Sequence, residues 1–542
     1  MRSRATVTIA VLAAALVCGG WLLERGLARG GTSVSGTRLF SEVMSHVQRH
    51  FVDSLDAAAI YEKATAGMMR ELRDPYSVYL TSDRARRLSE TTSGTYAGVG
   101  IQVDVRNEAI VVVTPLPGTP AERAGILAAD RIVAIDGRST SGWTFEEAQK
   151  ALRGAKGTTV KFTVRRDGVP DLLTFTLERD EIHVHSVRHA EMLEPRVGYI
   201  DLTIFSDSSA AELRRAVDSL RAKGMQTLLF DLRNNPGGVL EQGVEVSDLF
   251  LDAGQRIVSM RGRSPGATRD FADAEAQRWP SLVVVALVNE SSASASEIVA
   301  GALQDHDRAL LIGNTTYGKG SAQSVFAFTG GAALKLTTAR WFTPSGRTIQ
   351  RGRDTSGTAA DDEGVTSDSA GAPLDKRLAY RTDAGRTVFG GGGITPDLLI
   401  TRIDTTPGDG AFARGLGRDV PKFRDALTEL ALAVRAARSV SGRDFVVTPQ
   451  MRDDLWRRMA ARHIAIARST YDSAAALVSR RIADEVTRYT FGPDAAFDRQ
   501  LRNDRVVITA LELAKGAATE RDVLARGAER RARKNEDAPR PR

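Results

Sequence analysis

The 542-residue chain is almost devoid of cysteine: Cys18 stands alone, which excludes an intrachain disulfide and any thiolate metal cluster. It also lacks a charge bias in its interior. The formal charge is +7, but Arg2, Arg4, Arg25 and Arg29 against Glu24 carry a net three of it. The other four arise past residue 525, where Arg526, Arg530, Arg531, Arg533, Lys534, Arg540 and Arg542 outnumber Glu529, Glu536 and Asp537. A nucleic-acid binder concentrates its excess on the folded face that meets phosphate, so that class of function is excluded. No G-x-x-x-x-G-K-[ST] spacing occurs, which argues against a nucleotide-binding P-loop.

What is present is the composition of a folded protein, 42% apolar and 26% charged, long enough for roughly three or four domains. Ala5 to Leu23 contains no charged residue and follows Arg2 and Arg4. Nineteen helical residues span about 28 Å, close to a bilayer core. The expectation is export to an extracytoplasmic, periplasmic location with residues 5–23 kept as a membrane anchor, within a signal or anchor segment at 1–30. After a Gly/Ser/Thr linker, apolar residues at helical spacing (Leu39, Val43, Val47, Phe51, then Ile60, Ala64, Met68) predict a helical region over 36–92. Residues 94–180 read as short strands with two brief helices, one in the run Pro120–Ile126, stopped by glycine, and Thr144–Leu152. From 190 to 402 strands and helices alternate, as in an α/β layer structure. Asp354 to Ala372, rich in Asp, Gly, Ser and Thr, reads as a surface insert. Residues 420–526 read as a helical extension and 527–542 as a disordered basic tail.

The stretch Tyr96 to Leu177, above all Pro120 to Gly137, resembles a PDZ domain. The resemblance implies that Gly98, Val99, Gly100 and Ile101 present backbone N–H groups to a peptide's C-terminal carboxylate. The two glycines free that loop to turn its amides towards an anion, and the peptide is expected to add as a strand.

The strand Leu282–Val288 runs into Asn289-Glu290-Ser291-Ser292-Ala293-Ser294-Ala295-Ser296-Glu297 and then a helix. Such a corner sets a side chain at a helix N-terminus, which favours the negative charge of an oxyanion. The same letters fit an S-x-x-E capping box, a purely structural device. A second segment, Thr316-Tyr317-Gly318-Lys319-Gly320-Ser321-Ala322-Gln323, holds one lysine between glycines. Together with Asp231-Leu232-Arg233-Asn234-Asn235-Pro236-Gly237-Gly238, Thr337 to Gly346 and Gly393-Ile394-Thr395-Pro396-Asp397, these segments resemble the C-terminal processing peptidases, or tail-specific proteases. The resemblance covers roughly Leu39 to Ile400.

It implies an α/β (α+β) multidomain protein with a crotonase-like or ClpP-like catalytic core and an inserted PDZ-like β domain. It further implies a serine-type endopeptidase with Ser294 as nucleophile, Lys319 as general base and Gln323 orienting the lysine. Ala295 and the Gly237-Gly238 turn would supply the oxyanion N–H groups, since Pro236 has none. Asp305, where the family sometimes has an acidic residue, is expected to be structural. An ordinary lysine is neutral in only about four molecules per ten thousand at pH 7. A buried Lys319 with no carboxylate contact is therefore expected, the ammonium being disfavoured by about 4 kcal/mol. None of the seven histidines falls in these motifs. His183 and His185 share a strand face, but no carboxylate-rich motif completes a site, so no metal and no cofactor are expected. The absence of Gly-Asn-Ser-Gly-Gly argues against a trypsin-like triad. Partners expected are protein or peptide substrates with free C-termini, the membrane through the N-terminal segment, and a second copy or an adaptor through the C-terminal helices. The alternative is a non-catalytic PDZ peptide-binding scaffold of the cell envelope.

Overall fold

The structure is a computed structural model that describes residues 35–106, 109–166, 168–351, 377–400 and 406–536. The expected anchor, the insert at 354–372 and the end of the basic tail lie outside these residues. Among the described residues no helix is long and apolar enough to cross a membrane.

The chain divides into two units, residues 1–86 with 323–337, and residues 87–322 with 338–542. The first contains a helix over 35–50, which starts inside the expected linker, and the helix Ala57–Glu71. Asp56 caps the latter, accepting from the Ala59 N–H at 2.7 Å, the standard way of satisfying a free first-turn donor. Val78–Leu80 pairs antiparallel with Ala333–Lys335.

The second unit carries the rest. Its PDZ-like part is an antiparallel sheet in which Ile101–Arg106 lies at the edge beside Ala109–Pro115. Alternation puts Val103, Ile110, Val112, Ile132, Ile135, Phe162 and Val164 into one core with Ala148 and Leu152 of the helix Phe145–Leu152. Thr144 and Glu147 close a capping box at the start of that helix. Two further strands, Thr95–Gly98 and Asp180–His183, pair antiparallel where the chain enters and leaves this part.

The main sheet has six strands in the order Val187–Glu194, Val197–Leu202, Thr227–Asp231, Val283–Val288, Leu310–Gly313, Leu398–Leu399. All are parallel except the first. Central strands of a parallel sheet are buried on both faces and so lack alternation; every residue of Val283–Val288 is buried. One face packs under the helices Ser209–Ala222, Leu240–Asp248 and Ala295–Asp305. The other face, with Tyr199, Leu229, Val285, Leu287 and Ile312, is covered by Leu501, Val506, Val507, Ala510, Leu513 and Val523 of the C-terminal helices.

The helical extension is therefore no free arm: its last three helices cover the second face of the main sheet. The preceding helices, Pro407–Leu416 to Ala475–Phe491, form a separate core around Phe412, Leu430, Leu455, Tyr471 and Val486. The basic segment also departs from expectation. The helix Glu520–Glu536 contains Arg526 to Lys534, because Val523 is buried in the layer and Gly527 lets the helix approach Leu310.

Candidate active site

Ser294 ends the loop after the central strand Val283–Val288 and N-caps the helix Ala295–Asp305. Its backbone has φ 55° and ψ −114°, a region that a residue with a Cβ occupies at a cost of about 1–3 kcal/mol. The surroundings fix it there. Asn235 O accepts the Ala293 N–H (3.0 Å) and the Ser296 hydroxyl (2.9 Å). The Ser292 hydroxyl donates to Leu232 O at 2.8 Å. Asn289 Nδ2 donates to Asn234 Oδ1 at 3.0 Å while Asn289 Oδ1 accepts the Asn234 N–H at 2.9 Å. The turn Asn234–Gly238 and the serine corner are thus laced together through main-chain and side-chain groups.

The acidic residue of the capping-box pattern does more than cap. Glu297 is fully buried, and four donors converge on it. Oε1 accepts from the Thr316 hydroxyl (2.5 Å) and the Gly318 N–H (2.7 Å). Oε2 accepts from the N–H groups of Ser294 and Lys319, both at 2.9 Å. The backbone nitrogens of Ser294 and Lys319 therefore share one oxygen and stand no more than twice that distance apart. Burial pushes the Glu297 carboxyl above its ordinary value, against the hydrogen bonds from Thr316, Lys319, Gly318 and Ser294.

Around Lys319 the glycines permit close packing. Gly318 (φ +89°) lies against Ile349 O and Gly393 N, and its carbonyl accepts the Arg351 N–H at 2.9 Å. Trp341 Nε1–H donates to Lys319 O at 3.1 Å. The Lys319 residue is half-buried rather than buried as expected, and a carboxylate stands at its main-chain N–H. That carboxylate is the shared Glu297, which fastens the lysine loop to the nucleophile corner.

Facing Ser294 is Gly237, φ +89°, where a Cβ would sit 2.8 Å from Ser294 Cβ and 2.9 Å from Ala295 N. Only glycine fits this approach. Gly237 N–H donates to Asn235 Oδ1 at 2.9 Å, so it is committed to holding the turn. The N–H groups of Gly238 and Ala295 have no hydrogen-bond acceptor among the described residues. Asp305 pairs with the fully buried Arg347 at 2.7 Å and accepts the Ser345 N–H at 2.9 Å, the arrangement of a structural ion pair.

Gln323 falls in the first unit, where its Nε2 donates to Thr337 Oγ1 at 3.2 Å. In the PDZ-like loop Val99 is buried, its carbonyl accepting the Ala121 N–H at 3.0 Å. Gly100 has φ +76°, and a Cβ there would overlap the Thr119 side chain. The N–H groups of Val99 and Gly100 have no acceptor among the described residues, while Gly98 lies in a ladder opposite Asp180 and Ile101 begins the edge strand.

Sequence reading missed Glu297 as a tether because S-x-x-E is explained by helix capping alone. It also missed Glu212, which lies 27 residues beyond His185 yet meets His183 at 2.6 Å. Neither has a local signal; both depend on chain folding back.

The sequence profile of peptidase family S41 matches residues 196–363, that of the PDZ domain residues 111–166, and that of the activating protease CtpB N-terminal domain residues 29–84. The carboxy-terminal-processing protease of Bartonella bacilliformis is 39% identical over 315 residues, 57% of this chain and 72% of that protein. The carboxy-terminal processing protease CtpA of Bacillus subtilis is 37% identical over 311 residues, 57% of this chain and 66% of its own length. Among solved structures, a photosystem II D1 C-terminal processing protease aligns with 29% identity and a TM-score of 0.34, covering 58% of this chain and 89% of that one.

Proposed function

The chain belongs to peptidase family S41, the carboxy-terminal processing serine proteases, and on that premise we propose that it cleaves proteins through an acyl-enzyme formed on Ser294 with Lys319 as base. The observation that carries the reading is the single Glu297 oxygen that accepts both backbone N–H groups. It fixes the origins of the two side chains side by side.

Ser294 Oγ attacks the scissile carbonyl carbon while Lys319 Nζ takes its proton. The same amine then protonates the leaving nitrogen as the C–N bond breaks. Water repeats the sequence to release the acyl group. Negative charge on the tetrahedral oxygen meets the N–H groups of Ala295 and Gly238, the former at a helix N-terminus. Gln323 is carried from the resemblance as the group that orients the lysine.

Substrate selection belongs to the PDZ part. The N–H groups at Val99 and Gly100, unpaired among the described residues, suit a terminal carboxylate, and the edge strand Ile101–Arg106 suits an added strand. The charge-free run Ala5–Leu23 behind Arg2 and Arg4 supports an extracytoplasmic location with a retained anchor.

A fluorophosphonate probe should label the wild type stoichiometrically and Ser294→Ala not at all, with equal far-UV spectra; labelling of the alanine variant overturns the assignment and leaves the peptide-binding scaffold. Tail selection is tested by amidating the C-terminus of a cleaved peptide. Slower cleavage is expected, and unchanged kcat/KM overturns it.

A further inference from the structure

Three side chains away from the serine converge where the PDZ part joins the main sheet. His183 ends the strand Asp180–His183, His185 follows two residues later, and Glu212 lies on the helix Ser209–Ala222. His183 Nε2 lies 2.6 Å from Glu212 Oε1 and His185 Nδ1 lies 3.7 Å from Glu212 Oε2. One donor atom from each residue falls within 4.8 Å of the other two.

We propose that His183, His185 and Glu212 bind a divalent transition-metal ion, zinc foremost, at the root of the PDZ part. Zinc bonds of about 2.0–2.1 Å set tetrahedral donors roughly 3.3 Å apart, a spacing within the 4.8 Å that bounds the separation of one donor atom of each residue from the others. Two imidazoles and a carboxylate form a borderline N/O set that favours zinc or cobalt over magnesium or calcium. The hydrogen now between His183 Nε2 and Glu212 Oε1 moves to Nδ1 or to solvent as the ion takes its place.

The carboxylate is already oriented for this. Its Oε1 accepts the Ser208 hydroxyl at 2.7 Å, and its Oε2 the N–H groups of Ser186 (2.8 Å) and Val187 (3.1 Å). Such outer contacts hold metal ligands in place. The His185 side chain is 66% exposed, leaving room for water as a fourth ligand, and its ring stands edge-on to His183 with centroids 4.6 Å apart. An ion pair with His183 alone would explain Glu212, but not the second imidazole beside it.

The position gives the ion a consequence. Thr95 pairs with His183, and the Val184 N–H donates to Gly94 O at 2.8 Å, so both chain crossings to the PDZ part run through this point. An ion would tie the outgoing crossing to the helix Ser209–Ala222 and restrict the PDZ part's swing.

The test is binding, done on the full chain carrying Ser294→Ala, so that its outcome is independent of the peptidase assignment. Titration with zinc chloride by calorimetry should give one saturable site. Affinity should fall at least about tenfold in His185→Ala and in His183→Ala, and stay unchanged in His50→Ala, an exposed histidine outside the cluster. Cobalt should give the intense visible band of a four-coordinate site. Zinc should slow amide exchange at Val184 and Ser186. Because Glu212 also holds two main-chain amides, its variant risks misfolding, and the exposed His185 carries the argument. Equal affinity of wild type and His185→Ala, or no slowing at Val184 and Ser186, overturns the proposal.

Discussion

At the scale of single residues, Glu297 decides more than either group it joins. A carboxylate can accept four donors at once, and here it does so without contact with water. Glutamine keeps the shape but turns one oxygen into a donor, leaving two of those four groups unmatched. Each such buried group costs about 1–3 kcal/mol. Glu297→Gln is expected to lose about 2–6 kcal/mol of stability by urea denaturation and nearly all turnover. Lys319→Arg should keep the fold and lose turnover, because guanidinium stays protonated; circular dichroism beside a peptide-cleavage assay checks both halves. The corner at Ser294 and the glycine-flanked loop at Lys319 were legible from their motifs, since glycines and a strand-to-helix junction leave local marks. The tether between them was not, because sequence cannot say which buried donors an N3 glutamate meets.

At the scale of elements, the PDZ loop turns on Gly100. Its φ of +76° and the Thr119 side chain against it exclude any Cβ. Gly100→Ala should reshape the loop and remove discrimination between free and amidated peptide tails, while the fluorophosphonate still labels Ser294. Loss of labelling as well would show that the loop supports the catalytic layer and not only the tail. The strands and helices of this part follow their hydrophobic period, but the helix from Pro120 ends at Arg123, and the strands Leu173–Glu178 and Asp180–His183 come in addition. The extension read as helical, and its helix Val420–Ala436 is one of several there. What period could not reveal is its neighbour: Arg106 of the edge strand donates to Thr428 and Tyr489 at 3.0 and 3.1 Å, and Arg424 pairs with Asp104 at 2.9 Å. The edge strand Ile101–Arg106 is thus braced by the extension.

At the scale of the whole molecule, the extension behaves as part of the catalytic fold. Removing everything after Asp419 strips the cover from Tyr199, Leu229, Val285, Leu287 and Ile312. Burial of each such side chain contributes about 1.5–3 kcal/mol, so the truncated chain should be insoluble or molten rather than a well-folded protein of altered oligomeric state; light scattering and near-UV dichroism distinguish these. The same interface carries a pH dependence. Asp201 sits beside Asp231, which Arg233 joins to Asp504 of the extension. Burial and then the Asp231 charge push its carboxyl up to about 7. The folded chain therefore keeps a proton that the unfolded chain has lost, and stability falls as pH rises from the ordinary aspartate range through about 7. Asp201→Asn should flatten that fall, raising stability by about 1–3 kcal/mol at pH 8 and little at pH 5.

The sequence by itself determined the family, the PDZ-like part and the glycine turns, because each rests on residues adjacent in the chain. Only the tertiary structure decided that Glu297 joins serine to lysine, that Gly238 rather than Gly237 keeps a free N–H, that Glu212 meets two histidines, and that the last helices roof the sheet. Those four depend on which distant segments end up in contact, and a contact is chosen by the burial and hydrogen-bond needs of the whole chain rather than by any stretch of it.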